Sequence, residues 1–597
     1  MILVKILFRY KHLLLLAAAT IFLLSLPVIN LFFAKDFKWI GPATITGAVH
    51  GDWKYYEPRI REILDGHPFI GNPFLIEYNN ELPPAFFFAD WLAAIPMLLG
   101  LFLEWGTIVN DMLWSLLFVF LAYGILQQAG VSKWLSVFGA ELTFFQVFYL
   151  MTATVSMQTI FPFYLFFLFS FLFWIKDHKN KKRTVLLILS STLSFYVYTY
   201  LWQVVVTALG LAFLFWLVTK KKEMTVGLIK ILGLTTIFSL PLFIFTYLQI
   251  IHPYYWDTMQ RIGLVSTRLP TAEVFYSGRW VVLMMLLCFF VFCWIKKIRE
   301  NQMYRLLMIF FVINGFSLII VSASNVITGK DLELAQHIVR FILVWMPLAF
   351  IVFLSLIKDS AAQFKLFCSY KKIIIFVLCL TYLFGLVSYY KGYLYSFFNR
   401  QRLWQHIVDN QKMNEPLSWL ENEESKSVVV WAEPDSLTNA YIPTLTKHYI
   451  LGGGLFQLVP SQEIEERYLV SNYFNQLSLD DIKKDFALYA GSGNAIHPAK
   501  IYNRKVVLCK FFRLNLFGAN CGEKTDPITL KGEKYFTDLY DKYAKEIVPN
   551  IGSYLTKYKV SYYVKDRRIN SGAQPEKIGM KRVYSDMNFD IYKIKDF

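Results

Sequence analysis

The sequence predicts a polytopic α-helical membrane protein of about eleven spans, followed by a C-terminal α/β or α+β domain outside the membrane. Three observations carry this. Of 597 residues, 56% are hydrophobic and 18% aromatic, with a mean hydropathy of +0.42, well above the composition of a soluble domain. Apolar runs close to the ~20 residues a bilayer demands recur along the first two thirds of the chain. Beyond residue 391 the chain turns polar, and short strand-like and helix-like runs alternate.

In order, the spans are expected at 12–33, 107–127, 133–152, 157–175, 184–200, 202–219, 226–251, 280–295, 305–323, 341–357 and 373–390. The first is longer than the apolar core of a signal peptide and reads as a retained helix. A formal charge of +17 would suit a nucleic-acid binder. Its lysines and arginines, however, bunch between spans: KILFRYK (5–11), KDHKNKKR (176–183), KKK (220–222), KKIR (296–299) and the 358–372 loop. That is the positive-inside pattern, so membrane lipids are expected as partners and nucleic acid is not. With these loops cytoplasmic, the N-terminus is inside and the C-terminal domain outside, a multi-pass topology in the plasma (inner) membrane. The outer segments lack an N-x-[ST] acceptor, which points to a prokaryotic source.

Segment 83–104, PPAFFFADWLAAIPMLLGLFLE, needs separate treatment. Counting it as a span would turn every later loop over and place KDHKNKKR outside. We read it as an interfacial or re-entrant helix; Pro96 and the flanking carboxylates also suit a distorted span.

Two domains follow: a multi-span domain over 1–390, with a first external loop at 34–106, and a soluble domain over 391–597. The second holds the strand-like runs SVVVWA (427–432), KVVLCKFF (505–512), KVSYYVKD (559–566) and FDIYKI (589–594), and the helix-like SQEIEERYLVSNYF (461–474). Of six cysteines, Cys288, Cys293 and Cys379 fall in spans and Cys368 in a cytoplasmic loop. Cys509 and Cys521 fall in the outer domain, where a disulfide is compatible with an oxidising compartment. No spacing matches a metal site.

The first external loop carries GDWKYYEPRIREILDG (51–66). It reads as a short helix capped by Asp52 and stopped at Asp65-Gly66, with Asp52, Tyr56 and Arg59 near one face. In the plainest reading Asp52 is a cap and the tyrosines anchor at the interface. The acid, however, lies just beyond the first span, and Asp52, Tyr55 and Tyr56 form an Asp-x-x-Tyr-Tyr motif that leads into an interfacial helix. In this the membrane half resembles the C-superfamily of glycosyltransferases.

That resemblance implies sugar transfer, with inversion, from a polyprenyl-phosphate-linked donor to a glycan, lipid or protein acceptor. Asp52 would be the catalytic base or the ligand of a divalent cation (Mg or Mn), with Tyr55, Tyr56 and Arg59 binding substrate. The chemistry agrees, since an inverting transfer needs one carboxylate to take the acceptor's proton and a cationic partner for the departing phosphate. Glu57, Glu77, Glu81 and Asp90 read as solvated loop charges, although each is an alternative base.

The cationic partner is sought in ITGKDLELAQHIVR (327–340), where Glu333, His337 and Arg340 recur at helical spacing. They suit a donor-phosphate site, with Lys330 assisting, or a juxtamembrane helix whose cations reach the headgroups. HPYYWDTMQRIGLVSTRLP (252–270) reads as an interfacial aromatic belt, or as the aromatic lining of a sugar cleft, and Gly452-Gly453-Gly454, without a following Gly-Lys-Ser/Thr, as a turn. Two other functions remain open: a transporter or flippase of lipid-linked glycan, and an oligosaccharyltransferase-like enzyme. The Trp-Trp-Asp-Tyr-Gly motif of the latter is missing from 391–597.

Overall fold

The structure is a computed structural model that describes residues 11–32, 53–152, 155–262, 264–266, 268, 274, 278–279, 281–286, 300–332, 334–360, 411–434, 436–454, 456–489 and 531–594. Asp52, Glu333, all six cysteines, the KVVLCKFF run and the spans expected at 373–390 and over most of 280–295 lie outside these residues.

Helices dominate the first part, as the apolar runs require. Among the described residues, five are long and apolar enough to cross a bilayer: Trp105–Gln128, Met157–Lys176, Thr199–Val218, Gln302–Thr328 and Ala335–Ile357. The chain therefore has the build of a membrane protein, but the count of about eleven spans is not reached. The span expected at 226–251 is two helices, Lys222–Phe238 and Leu240–Ile250, bent by 53°. Pro241, in the first turn of the second helix, lacks the N–H that a continuous helix would use. If that pair is one broken span, the total is six.

Three more expected spans are helices outside these five. Lys181–Val197 has 17 residues and opens on Lys181, Lys182 and Arg183. Lys133–Met151 has 19 residues, with Glu141 and Gln146 inside it, and Lys11–Phe32 has 22, apolar along most of its length beyond Lys11 and His12. Segment 83–104 forms the Phe88–Leu98 helix. At 1.5 Å per residue, its 11 residues cover about half of a bilayer core. Pro96 sits in its last turn, and Gly100 takes φ +102° to turn the chain into the next helix.

The bundle shares one apolar core rich in aromatic rings, such as Phe118 against Phe144 and Trp174 against Trp216. A two-stranded ribbon, β1 (Val265–Ser266) with β2 (Lys330–Asp331), ties two loops together.

The C-terminal domain is built on a five-stranded mixed sheet in the order β4-β3-β5-β7-β6. β3 (Val429–Ala432) runs parallel to β4 (Tyr449–Ile450) and to β5 (Val560–Asp566). β5, β7 (Phe589–Lys593) and β6 (Lys581–Ser585) pair antiparallel. Three of the expected strand runs are thus β3, β5 and β7, and SQEIEERYLVSNYF supplies the Ser461–Ser471 helix. Each face of the sheet has its own core. One is closed by helices Ser461–Ser471, Glu533–Asp541 and Ile551–Lys557. The other includes Trp53, Phe74 and Leu75 from the first loop.

Candidate functional site

The first loop joins the two halves. Its Trp53–Leu64 helix ends where Asp65-Gly66 predicts, with Gly66 at φ +93°. Trp53 stacks on Tyr441 at 4.8 Å, and Arg61 pairs with Glu421 at 2.7 Å. Further on, the Ile450 amide donates to the Phe74 carbonyl at 2.9 Å, and buried Arg467 pairs with Glu77 at 3.0 Å. Gly454 lies so close to Phe74 that an added Cβ would clash. The glycine run is therefore a docking surface for the loop as well as a turn, with Gly453 at φ +81°.

The 252–270 segment does not behave as a belt along its whole length. Tyr254 and Trp256 are exposed, but the Tyr255–Arg261 helix turns its polar side to the C-terminal domain. The Ser461 amide donates to Asp257 Oδ2 at 3.1 Å and the Leu458 amide to Thr258 Oγ1 at 2.9 Å. Arg261 donates to Ser461 Oγ and to the Val459 and Phe456 carbonyls.

Two acids expected to be solvated are buried. Asp90 (1% exposed) receives Arg59 Nε on Oδ1 at 3.1 Å and Nη2 on Oδ2 at 2.8 Å. Arg59 is equally buried, and it also donates to the Phe86 carbonyl and to the Tyr55 hydroxyl, which in turn donates to Gln457. Burial works against the guanidinium charge, but Asp90 and Tyr55 more than compensate and raise its pKa. Tyr56 packs edge-on against Tyr55 at 5.1 Å. Arg59 thus braces the loop and does not open onto solvent.

Glu57 (0% exposed) points toward the bundle, close enough to Asp111 and to the Tyr441 phenol for its charge to act on both. Asp111 accepts a hydrogen bond from Gln158 Nε2, which also donates to the Met151 carbonyl at 2.9 Å. Beside them Val155 sits at φ +60°, a conformation strained for a β-branched residue.

The 334–340 segment is helical, as its spacing predicts. His337 lies within the Leu334–Ser360 helix, stacked on Tyr200 (4.5 Å, 11° between planes) and hydrogen-bonded through Nδ1 to the Tyr198 hydroxyl. The Tyr200 hydroxyl donates to the Leu332 carbonyl at 2.7 Å. Arg340 is half-buried one turn further on.

The two groups lie at the same end of the bundle. Phe341, next to Arg340, packs on Phe161 (6.1 Å) and Tyr164 (5.0 Å), near the start of the helix that carries Gln158. On the other side, Phe88 meets Tyr196 at 6.3 Å, two residues from Tyr198. A path of contacts and chain neighbours thus runs from Glu57 and Asp111 through Gln158, Phe161 and Phe341 to Arg340 and His337. It returns through Tyr198, Tyr196 and Phe88 to Asp90 and Arg59. The N-termini of two helices, Ser156–Lys176 and Leu334–Ser360, open at this end, where their dipoles favour an anion.

Of the residues singled out from sequence, Arg59, His337 and Arg340 stand on this path, with Tyr55 bonded to Arg59 and Tyr56 packed on Tyr55. Asp52 precedes Trp53 directly, and Glu333 precedes the His337 helix. The sequence reading passed over Asp111 and Gln158. The polar pair Asn110-Asp111 inside an apolar run was the available signal. Among the described residues no three His, Cys, Asp or Glu side chains converge on a metal position. Glu57 and Asp111 are two oxygen donors of the kind a hydrated Mg takes. No protein-family model and no curated protein matches the chain.

Proposed function

We propose that the protein is a membrane glycosyltransferase of the C-superfamily type. It takes a sugar from a polyprenyl-phosphate donor and passes it to a glycan, lipid or protein acceptor on the outer face of the membrane. The observation that carries this reading is the gathering of carboxylates (Glu57, Asp111) and basic side chains (His337, Arg340) at one end of the bundle, close to the Trp53–Leu64 helix that follows Asp52 in sequence. A lipid-borne anionic donor and a water-borne acceptor meet at such a rim.

In this mechanism Asp52 takes the proton from the acceptor hydroxyl as its oxygen attacks the anomeric carbon, and the bond to phosphate breaks on the opposite face. Arg340, His337 and the two helix N-termini hold the departing polyprenyl phosphate. The Arg59–Asp90 pair positions the loop, since a catalytic group displaced by about 1 Å forfeits much of its effect. Any divalent cation would sit on Glu57 and Asp111 and add charge against the phosphate. Glu141, bonded by Thr20 at 2.9 Å in the Lys133–Met151 helix, is the observation that favours a transporter instead.

The test is transfer in proteoliposomes that contain polyprenyl-phosphate-linked hexoses, read as release of polyprenyl phosphate in the presence of a glycan acceptor. Asp52→Asn should abolish release while expression and insertion stay normal. Full activity in that variant removes Asp52 from the chemistry.

A further inference from the structure

The C-terminal domain carries a second feature, on the face of its sheet closed by helices Ser461–Ser471, Glu533–Asp541 and Ile551–Lys557. A half-open cleft of about 530 Å³ lies between the 473–477 turn, helix Glu533–Asp541 with the turn that follows it, and the 572–577 loop. Its size falls within the range of small-molecule sites. Tyr473, Phe474 and Tyr540 supply aromatic surface, Gln476 and Gln574 supply side-chain amides, and Lys577 is the one charged side chain among the twelve residues that line it.

The walls are held in shape before any ligand arrives. The Lys542–Ile547 turn is π-helical, an arrangement common at functional sites. From it the Tyr543 hydroxyl accepts from the Leu477 amide at 3.2 Å and lies 3.3 Å from the Asn472 and Tyr473 carbonyls. That pins the turn in which Gln476 adopts φ +49°, a left-handed conformation away from glycine. Opposite, buried Lys565 donates to the Ser571 and Ala573 carbonyls at 3.1 and 2.6 Å, and Asn570 Oδ1 accepts from the Ala573 amide at 3.1 Å. Phe474 is fixed by stacking on Trp431 at 4.8 Å. A preformed cleft loses little entropy when it is filled.

We infer that this cleft is a carbohydrate-binding site, separate from the transfer site and independent of it, that takes a short neutral oligosaccharide. The chemistry selects this ligand class. Aromatic surface pairs with the C–H faces of pyranose rings, and paired amides match the alternating donors and acceptors of vicinal hydroxyls. A lining without carboxylates gives a metal cation no anchor, and a single rim lysine is thin provision for a phosphate. Trp53, Phe74 and Leu75 of the first loop pack on the opposite face of the sheet from this cleft, while Ile76 reaches the core on the cleft's own face.

The experiment uses the full-length chain in nanodiscs and saturation-transfer NMR with methyl glycosides of glucose, galactose, mannose and N-acetylglucosamine, together with maltose, cellobiose and chitobiose. At least one probe should receive saturation. Gly572→Trp should weaken its binding at least tenfold by filling the cleft. A Cβ at Gly572 meets nothing within 4 Å, so the variant should fold. Gln574→Ala, at an exposed position, should weaken binding as well. Asp52→Asn should bind as the wild type does, which separates this test from that of transfer. The inference is overturned if no probe exceeds empty nanodiscs, if Gly572→Trp binds as well as wild type, or if Asp52→Asn abolishes binding.

Discussion

Arg59 and Asp90 form a buried two-point ion pair, 3.1 and 2.8 Å, that bolts the Trp53–Leu64 helix to the Phe88–Leu98 helix. Both side chains are almost wholly withdrawn from solvent, so removing one leaves the other charged and stranded. Arg59→Ala should cost about 3–5 kcal/mol. The double change Arg59→Met with Asp90→Leu should recover most of that loss, since it strands no charge. Thermal unfolding in detergent reads both, and an unchanged melting temperature in Arg59→Ala contradicts the bracing role.

The Tyr255–Arg261 helix is a strut to the C-terminal domain, and two backbone amides report on it. Asp257→Ala should free the Ser461 amide and Thr258→Ala the Leu458 amide. With a net value of about 1 kcal/mol for each hydrogen bond, exchange at these positions should rise about fivefold. Hydrogen–deuterium exchange of peptides covering 456–461 measures it. Unaltered exchange would mean that the two parts are held by other contacts.

Glu466 makes the C-terminal domain acid-sensitive. Burial alone would raise its pKa, but hydrogen bonds from Lys557, Tyr558 and Lys542 outweigh burial and hold it at about 2. A carboxyl depressed in the folded state stabilises above its unfolded value, about 4.5, and loses that contribution as the pH falls toward 2. Unfolding followed from pH 6 to pH 3 should show a loss that Glu466→Gln flattens. A parallel loss in the variant would assign the acid response to other groups.

Arg340→Ala should raise the apparent KM for the polyprenyl-phosphate donor about tenfold or more, the scale of a charge-assisted hydrogen bond. Arg340→Lys should restore part of it, because the charge remains while the planar fork is lost. His337→Ala should act more weakly, because its ring is already engaged with Tyr198 and Tyr200. An unchanged KM in Arg340→Ala returns that residue to the headgroups.

Local features were readable where neighbours in sequence decide them. Asp65-Gly66 marked a helix end, alternating β-branched and aromatic runs marked β3, β5 and β7, and the 334–340 spacing marked a helix. Burial was not readable, because distant partners decide it. Glu57 and Asp90 look like loop charges until Tyr441, Asp111 and Arg59 close over them. The edge strand β6 stayed hidden because its side chains are mostly exposed and carry no apolar alternation. The bend at Ser239–Pro241 lies inside an apolar run long enough for a span, and hydropathy averages over it.

A cryo-EM structure with a non-transferable polyprenyl-phosphate-sugar analogue bears on the account as a whole. Phosphate density is expected within hydrogen-bonding reach of Arg340, with the sugar directed toward Asp52 near the Trp53–Leu64 helix. Analogue density on the far end of the bundle, or none with Asp52 turned away from the Glu57–Asp111 side, would contradict it.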